Sequence, residues 1–180
     1  SLGKNAFFNV LYKCFNFIFP LITSIYVARV LLPVGVGKVN SAQNTVQYFI
    51  IFASLGLPTY GVKKIAEARG DIQKRSKTFF ELFLINGIAS IVCSLIYIAF
   101  AFFRFAGTEK LALALVVGLK LYFNIINIDW FYQGVEEYKY IMLRSLFVKI
   151  LSLIAVFVFV RTEADYLAYA AISTLSLVIN

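Results

Sequence analysis

Two lysines sit where a lysine is costly. Lys13 and Lys120 each fall well inside a long apolar run, and each belongs to a polar series with helical spacing. The first series is Asn5, Asn9, Lys13, Asn16, Pro20 and Thr23, with steps of four, four, three, four and three residues. That spacing keeps one face of an α-helix. Lys120, Asn124 and Asn127 repeat the four-three step, and Asn40, Asn44 and Gln47 form a third series with Gln43 close to the same face. Polar stripes facing lipid are expensive, so the three are expected to face one another or a shared water-filled cavity. The acid deepest in a span region is Glu81, near the start of its helix, and Asp129 lies near an interface. A cavity built this way is polar and net positive, which suits an anionic substrate. A structural reading stands beside this one. Asparagine and glutamine can hold helices together by side-chain hydrogen bonds, and lysines near span ends can snorkel to the interface.

The elements that carry these residues are apolar helices. Of the 180 residues 61% are hydrophobic and 14% charged, and the mean hydropathy is +0.84. A water-soluble domain of this size has too little interior to bury so much apolar surface. Crossing a bilayer takes roughly 20 helical residues, and the apolar runs have that length. The runs predict helix 1 over Asn5–Val30, helix 2 over Lys38–Leu57, helix 3 over Thr78–Phe103, helix 4 over Leu111–Phe131 and helix 5 over Tyr140–Val160. A sixth helix starts at Tyr166 and the chain stops inside it. The fold class is therefore an all-α polytopic membrane protein. Pro33, with Gly35 and Gly37, predicts a turn between helices 1 and 2. Pro20 predicts a kink in helix 1 that frees a backbone carbonyl. Gly87, Ala89 and Ser90 read as a close helix contact, and Trp130, Phe131, Tyr132, Tyr138 and Tyr140 as an interfacial belt.

Charge sets the expected orientation. Lys4, the six basic residues of the Tyr60–Lys77 stretch, Lys139 and Arg144 put nine cations on one side, against five (Arg29, Lys38, Arg104, Lys110 and Arg161) on the other. The richer side is expected to be cytoplasmic, with the N-terminus. The first run is too long and too polar at its start for a cleaved signal peptide, so it reads as a retained span. The net charge of +8 sits at helix ends, which fits anionic lipid rather than nucleic acid. There is no histidine, and Cys14 and Cys93 both lie in apolar runs. No Walker loop, metal cluster or paired carboxylate site is present in the sequence. Neither an enzyme nor a cofactor or metal site is expected.

Three stretches resemble a known family. They are Tyr26-Val27-Ala28-Arg29-Val30-Leu31-Leu32-Pro33 with Gly35-Val36-Gly37; Leu55-Gly56-Leu57-Pro58-Thr59-Tyr60-Gly61 running into Ile65-Ala66-Glu67-Ala68-Arg69; and Asp129-Trp130-Phe131-Tyr132-Gln133-Gly134-Val135-Glu136 with Tyr138-Lys139-Tyr140. In order and spacing they are similar to the bacterial polysaccharide-unit (O-antigen) flippases, relatives of the multidrug and toxin extruders. The family usually has Leu-Gly-Pro after the arginine, and here Leu32 takes the middle place, expected to relax the turn.

The resemblance implies a two-lobed bundle of about 12 to 14 spans, with residues 1–180 as the N-terminal lobe, five complete helices and the start of a sixth, and the second lobe outside the sequence. The implied act is translocation of an oligosaccharide linked through pyrophosphate to a polyprenyl lipid, from the cytoplasmic to the outer leaflet of a bacterial inner membrane, before polymerisation. Its implied partners are that lipid-linked oligosaccharide, membrane lipids and the polysaccharide polymerase machinery. Joined to the polar stripes, it points to Lys13, Arg29 and Lys120 as anion contacts and to Asn9, Asn16, Asn44 and Asn124 as neighbours contacting sugar or water. Two other readings stay open, a cation-coupled multidrug exporter of the same fold and a non-transporting membrane scaffold.

Overall fold

Long apolar runs in this chain become helices because a helix satisfies its own backbone in lipid. The computed structural model describes residues 2–179; the side chains of residues 2–6, 8, 9, 12 and 16 lie outside that description. Its helices are α1 (Leu2–Val30), α2 (Leu32–Ser54), α3 (Leu57–Glu67), α4 (Ile72–Phe105), α5 (Lys110–Tyr122), α6 (Asp129–Gly134), α7 (Tyr138–Phe159) and α8 (Tyr166–Ile179), with 3-10 turns at Asn124–Ile126 and Glu163–Asp165. Among the described residues, four helical stretches are long and apolar enough to cross a membrane: Lys13–Val30, the consecutive α2 and α3, α4 and α7.

Several sequence expectations are corrected. Helix 2 begins six residues earlier than expected, at Leu32, because Pro33 occupies the first turn, where its missing N–H has no partner to lose. The turn is confined to Leu31 and Leu32, and it is not relaxed: Leu32 is held at φ +55°, the left-handed region a glycine would occupy at less cost. The basic stretch Tyr60–Lys77 is mostly helical. Gly56 at φ +72° turns the chain into α3, with Pro58 in its first turn. The Asp71 side chain caps α4 by accepting from the Lys74 N–H at 3.0 Å, so α4 starts at Ile72, ahead of the apolar run. Helix 4 is not continuous. It ends as α5 at Tyr122 and resumes as α6 at Asp129. The thirteen residues of α5 reach about 20 Å, short of a ~30 Å hydrocarbon core.

The main core lies between α2, α4, α5 and α8. Val39, Val46, Ile50 and Ala53 of α2 pack against Tyr97, Leu113, Val117, Leu121 and Ala170. Tyr97 is fully buried and its hydroxyl donates to the Ala114 carbonyl at 2.8 Å. Gly118 admits its ring: a methyl group there would come within 2.7 Å of Tyr97. A second cluster joins Val27 and Leu31 to Val156 and Val160, fastening α1 to α7. Outward-facing Leu84, Ile88, Ile91 and Leu95 of α4 and Phe147, Leu151 and Ile154 of α7 are exposed, as expected of lipid-facing surfaces. The α1 helix continues through Pro20.

Candidate functional site

The interruption between α5 and α6 organises the polar residues. A break in a membrane helix must keep its carbonyls paired: that of Asn124 accepts from the Asn127 N–H at 3.2 Å within the 3-10 turn and also from α4. Asn86 Nδ2 donates to the Asn124 carbonyl at 3.2 Å. In return Asn124 Nδ2 donates to Ser90 Oγ at 2.9 Å and, more weakly, to Asn86 Oδ1 at 3.4 Å. Asn86 and Ser90 are buried. Gly87, between them, lets the break approach: a methyl group there would be 3.0 Å from Ile125. The expected close contact of α4 is thus found at Gly87, while Ser90 makes a hydrogen bond instead.

Lys120 lies in the last turn of α5, where the helix dipole favours a cation. Its Nζ donates to Gln47 Oε1 of α2 at 2.9 Å. Asp129, at the start of α6, is held in a close ion pair by Arg144 of α7. A cavity of about 300 Å³ opens here, lined among others by Asn86, Lys120, Asn124, Asn127, Asp129 and Gln133. Because Arg144 already answers Asp129, Lys120 leaves the lining net positive. The arrangement offers amides and one ammonium group to a polar or anionic solute; it contains no nucleophile–base pair. A second polar cavity, about 310 Å³, lies between α1, α2, α7 and α8 and is lined by Thr23, Gln43, Lys149, Ser152 and Ser173. Gln43 Nε2 donates to Ser173 Oγ at 3.2 Å.

Of the seven candidate residues, Lys120 and Asn124 come together in the first cavity. Lys13, Arg29 and Asn44 are exposed on α1 and α2 and line neither polar cavity. The side chains of Asn9 and Asn16 lie outside the described residues. Sequence reading passes over Asn86 and Lys149. Lys149 carries the same signal as Lys13, a lysine inside an apolar run. Asn86 is a single amide without a periodic series, so its pairing with the break was not readable.

Below the cavity, α3 and α6 are keyed together. A methyl group on Gly61 of α3 would lie 2.7 Å from the Trp130 ring of α6, and one on Gly134 of α6 would lie 2.6 Å from Ile65 Cβ of α3. Arg69 closes the joint, donating to the Gly134 carbonyl at 2.9 Å and pairing with Glu136 at 2.9 Å. Trp130 is buried against Leu57, Ile65 and Leu82, so it is a core residue rather than part of an interfacial belt.

Helices with exposed apolar faces, four of the described stretches long and apolar enough to cross a membrane, define a polytopic helical membrane protein. More narrowly, the chain belongs to the polysaccharide biosynthesis protein family, whose match runs over residues 2–180. It is 27% identical over 171 residues to a putative O-antigen transporter of Escherichia coli strain K12, across 92% of this chain and 40% of that protein. The chain thus spans 40% of the length of the curated relative it matches. No solved structure matches it.

Proposed function

We propose that this chain is the N-terminal lobe of a flippase that carries polyprenyl-pyrophosphate-linked oligosaccharide from the cytoplasmic to the outer leaflet of the bacterial inner membrane, ahead of the polymerase machinery. The observation that carries the reading is the interrupted span, with Lys120 and Asn124 presented to one cavity beside the buried Asn86 amide. Irregular backbone at membrane depth is tolerated where it lines a cavity or is buried in protein, and broken spans form the substrate sites of many transporters. A net-positive lining favours pyrophosphate over an organic cation, and Asp129 is already neutralised by Arg144, which weighs against the drug-exporter reading. Lys13 and Arg29 of α1 and Asn44 of α2, all exposed, face a second lobe across the pathway in this proposal. The cation bias places the α3–α6 end and the N-terminus in the cytoplasm.

The test is the sidedness of lipid-linked glycan in cells with and without the complete gene. Accumulation on the cytoplasmic leaflet, relieved by the gene, supports the reading. Unchanged sidedness sinks it and moves the exporter and scaffold readings ahead.

A further inference from the structure

Three cations from three helices gather at the end of the bundle opposite the α3–α6 joint. Lys38 of α2, Arg104 of α4 and Lys110 of α5 line one cavity of about 490 Å³. None of the three forms an ion pair among the described residues. The Lys38 ammonium lies 4.8 Å from the Tyr166 ring centroid and the Arg104 guanidinium 5.7 Å from that of Phe105, contacts that leave the charge uncompensated. Glu109 lines the adjoining cavity of about 220 Å³ with Lys38 and Lys110, so three cations stand near one carboxylate. Like charges drawn together repel one another unless an anion joins them.

The rest of the cavity has a different character. Ser41 and Thr45 add hydroxyls along α2, and beyond them the wall is Ala42, Tyr97, Phe100 and Leu113. A free inorganic anion would satisfy the rim and leave this apolar wall wet. A ligand that satisfies both carries its negative charge at one end and hydrocarbon at the other. Basic residues at a membrane surface attract anionic headgroups, and an adjoining apolar groove takes the chain.

We propose that the cavity framed by Lys38, Arg104 and Lys110 is a binding site for an anionic phospholipid, its phosphate at the three cations and an acyl chain along the Tyr97–Phe100 wall. This site is separate from the cavity at Lys120 and does not depend on what is transported.

The test is native mass spectrometry of the full chain in neutral detergent, with dioleoyl phosphatidylglycerol, dioleoyl phosphatidylcholine and sn-glycerol 3-phosphate as probes. Phosphatidylglycerol is expected to remain bound, and the other two to bind at least about tenfold more weakly. Replacing Lys38, Arg104 and Lys110 together by Gln lowers phosphatidylglycerol retention at least about tenfold. The same loss of charge at the opposite end, Lys74, Arg75 and Lys77 to Gln, leaves it unchanged. Ser41→Trp keeps all three cations but fills the rim, and lowers retention as well; it decides the matter if the triple variant fails to fold. An equal fall in the Lys74 set, which would mean bulk charge, overturns the proposal. So does glycerol phosphate binding as well as the lipid, or full retention in Ser41→Trp.

Discussion

The α3–α6 joint and the exposed residues of α1 and α2 are built on opposite terms. In the joint the keyed residues are each taken up by a neighbour: Gly61 by Trp130, Gly134 by Ile65, Arg69 by Glu136 and the Gly134 carbonyl. On α1 and α2, Lys13, Arg29 and Asn44 are exposed. Lys120 stands between the two regimes, half-buried and tied to Gln47, which is itself exposed on α2. The recognisable residues of the joint are therefore packing signatures, whereas Arg29 of the first stretch is exposed and Asp129 and Gln133 of the third line the cavity. Of the candidate residues, Lys120 and Asn124 stand at the cavity between the two regions.

The largest expected effect breaks the joint. Gly134→Leu drives a branched side chain into Ile65 and the Val62 carbonyl, 2.6 and 3.1 Å from where its Cβ must sit. It is expected to cost roughly 3 kcal/mol, read as loss of folded protein in detergent-solubilised membranes. A fully folded variant would show that α6 can leave α3 freely. Next comes Lys120→Gln, expected to lower glycan export about tenfold while protein level holds; Lys13→Gln and Arg29→Gln should act in the same sense. Normal export in all three would remove these lysines and the arginine from the solute path. Leu32→Gly relieves the +55° backbone and should raise thermal stability by up to about 1 kcal/mol, with no change in export. An unchanged melting temperature would show that the turn relaxes around leucine.

The smallest effect tests the other end of the molecule. Asp165 Oδ2 accepts from the Arg161 N–H, the Thr162 N–H and the Thr162 hydroxyl at 3.0, 2.8 and 2.9 Å. These donors, the Arg161 backbone first, hold its carboxyl below the ordinary value of 3.8. Since the folded value is the lower one, the stabilisation is complete above the unfolded value and disappears as pH falls through the folded one. Amide exchange across residues 161–165 should therefore quicken below about pH 4. Asp165→Asn should remove that acid dependence; an unaltered profile would mean that the turn is held by other contacts.

Helix existence was legible because apolar runs leave few alternatives: α1 and α7 end within two residues of the sequence reading at their C-terminal ends, and α8 starts at the expected Tyr166. The break after Tyr122 was hidden. It contains neither proline nor glycine, and Asn124 and Asn127 continue a helical polar spacing. The partners that receive the break, Asn86 and Ser90, come from a helix that precedes it by 34 residues or more. Helix α3 was hidden for the opposite reason. Its polar residues read as a loop, while its buried side, Leu57, Gly61 and Ile65, is too short to register as an apolar run. In the site, a lysine and an amide in a periodic series could be anticipated, whereas their partners could not.

The joint also has a direction. Along α3 the small residue precedes the large one by a turn, and along α6 the large one precedes the small. Gly61 and Ile65 are four residues apart, as are Trp130 and Gly134. Sliding α6 by one helical turn, about 5.4 Å, sets Trp130 against Ile65, bulk against bulk. The two helices work like a lock cut for a single key position, so any displacement of α6 must carry α3 along as one body or tear the pair apart. Enlarging either glycine over generations demands a matching reduction across the contact, and the four positions are expected to change in pairs.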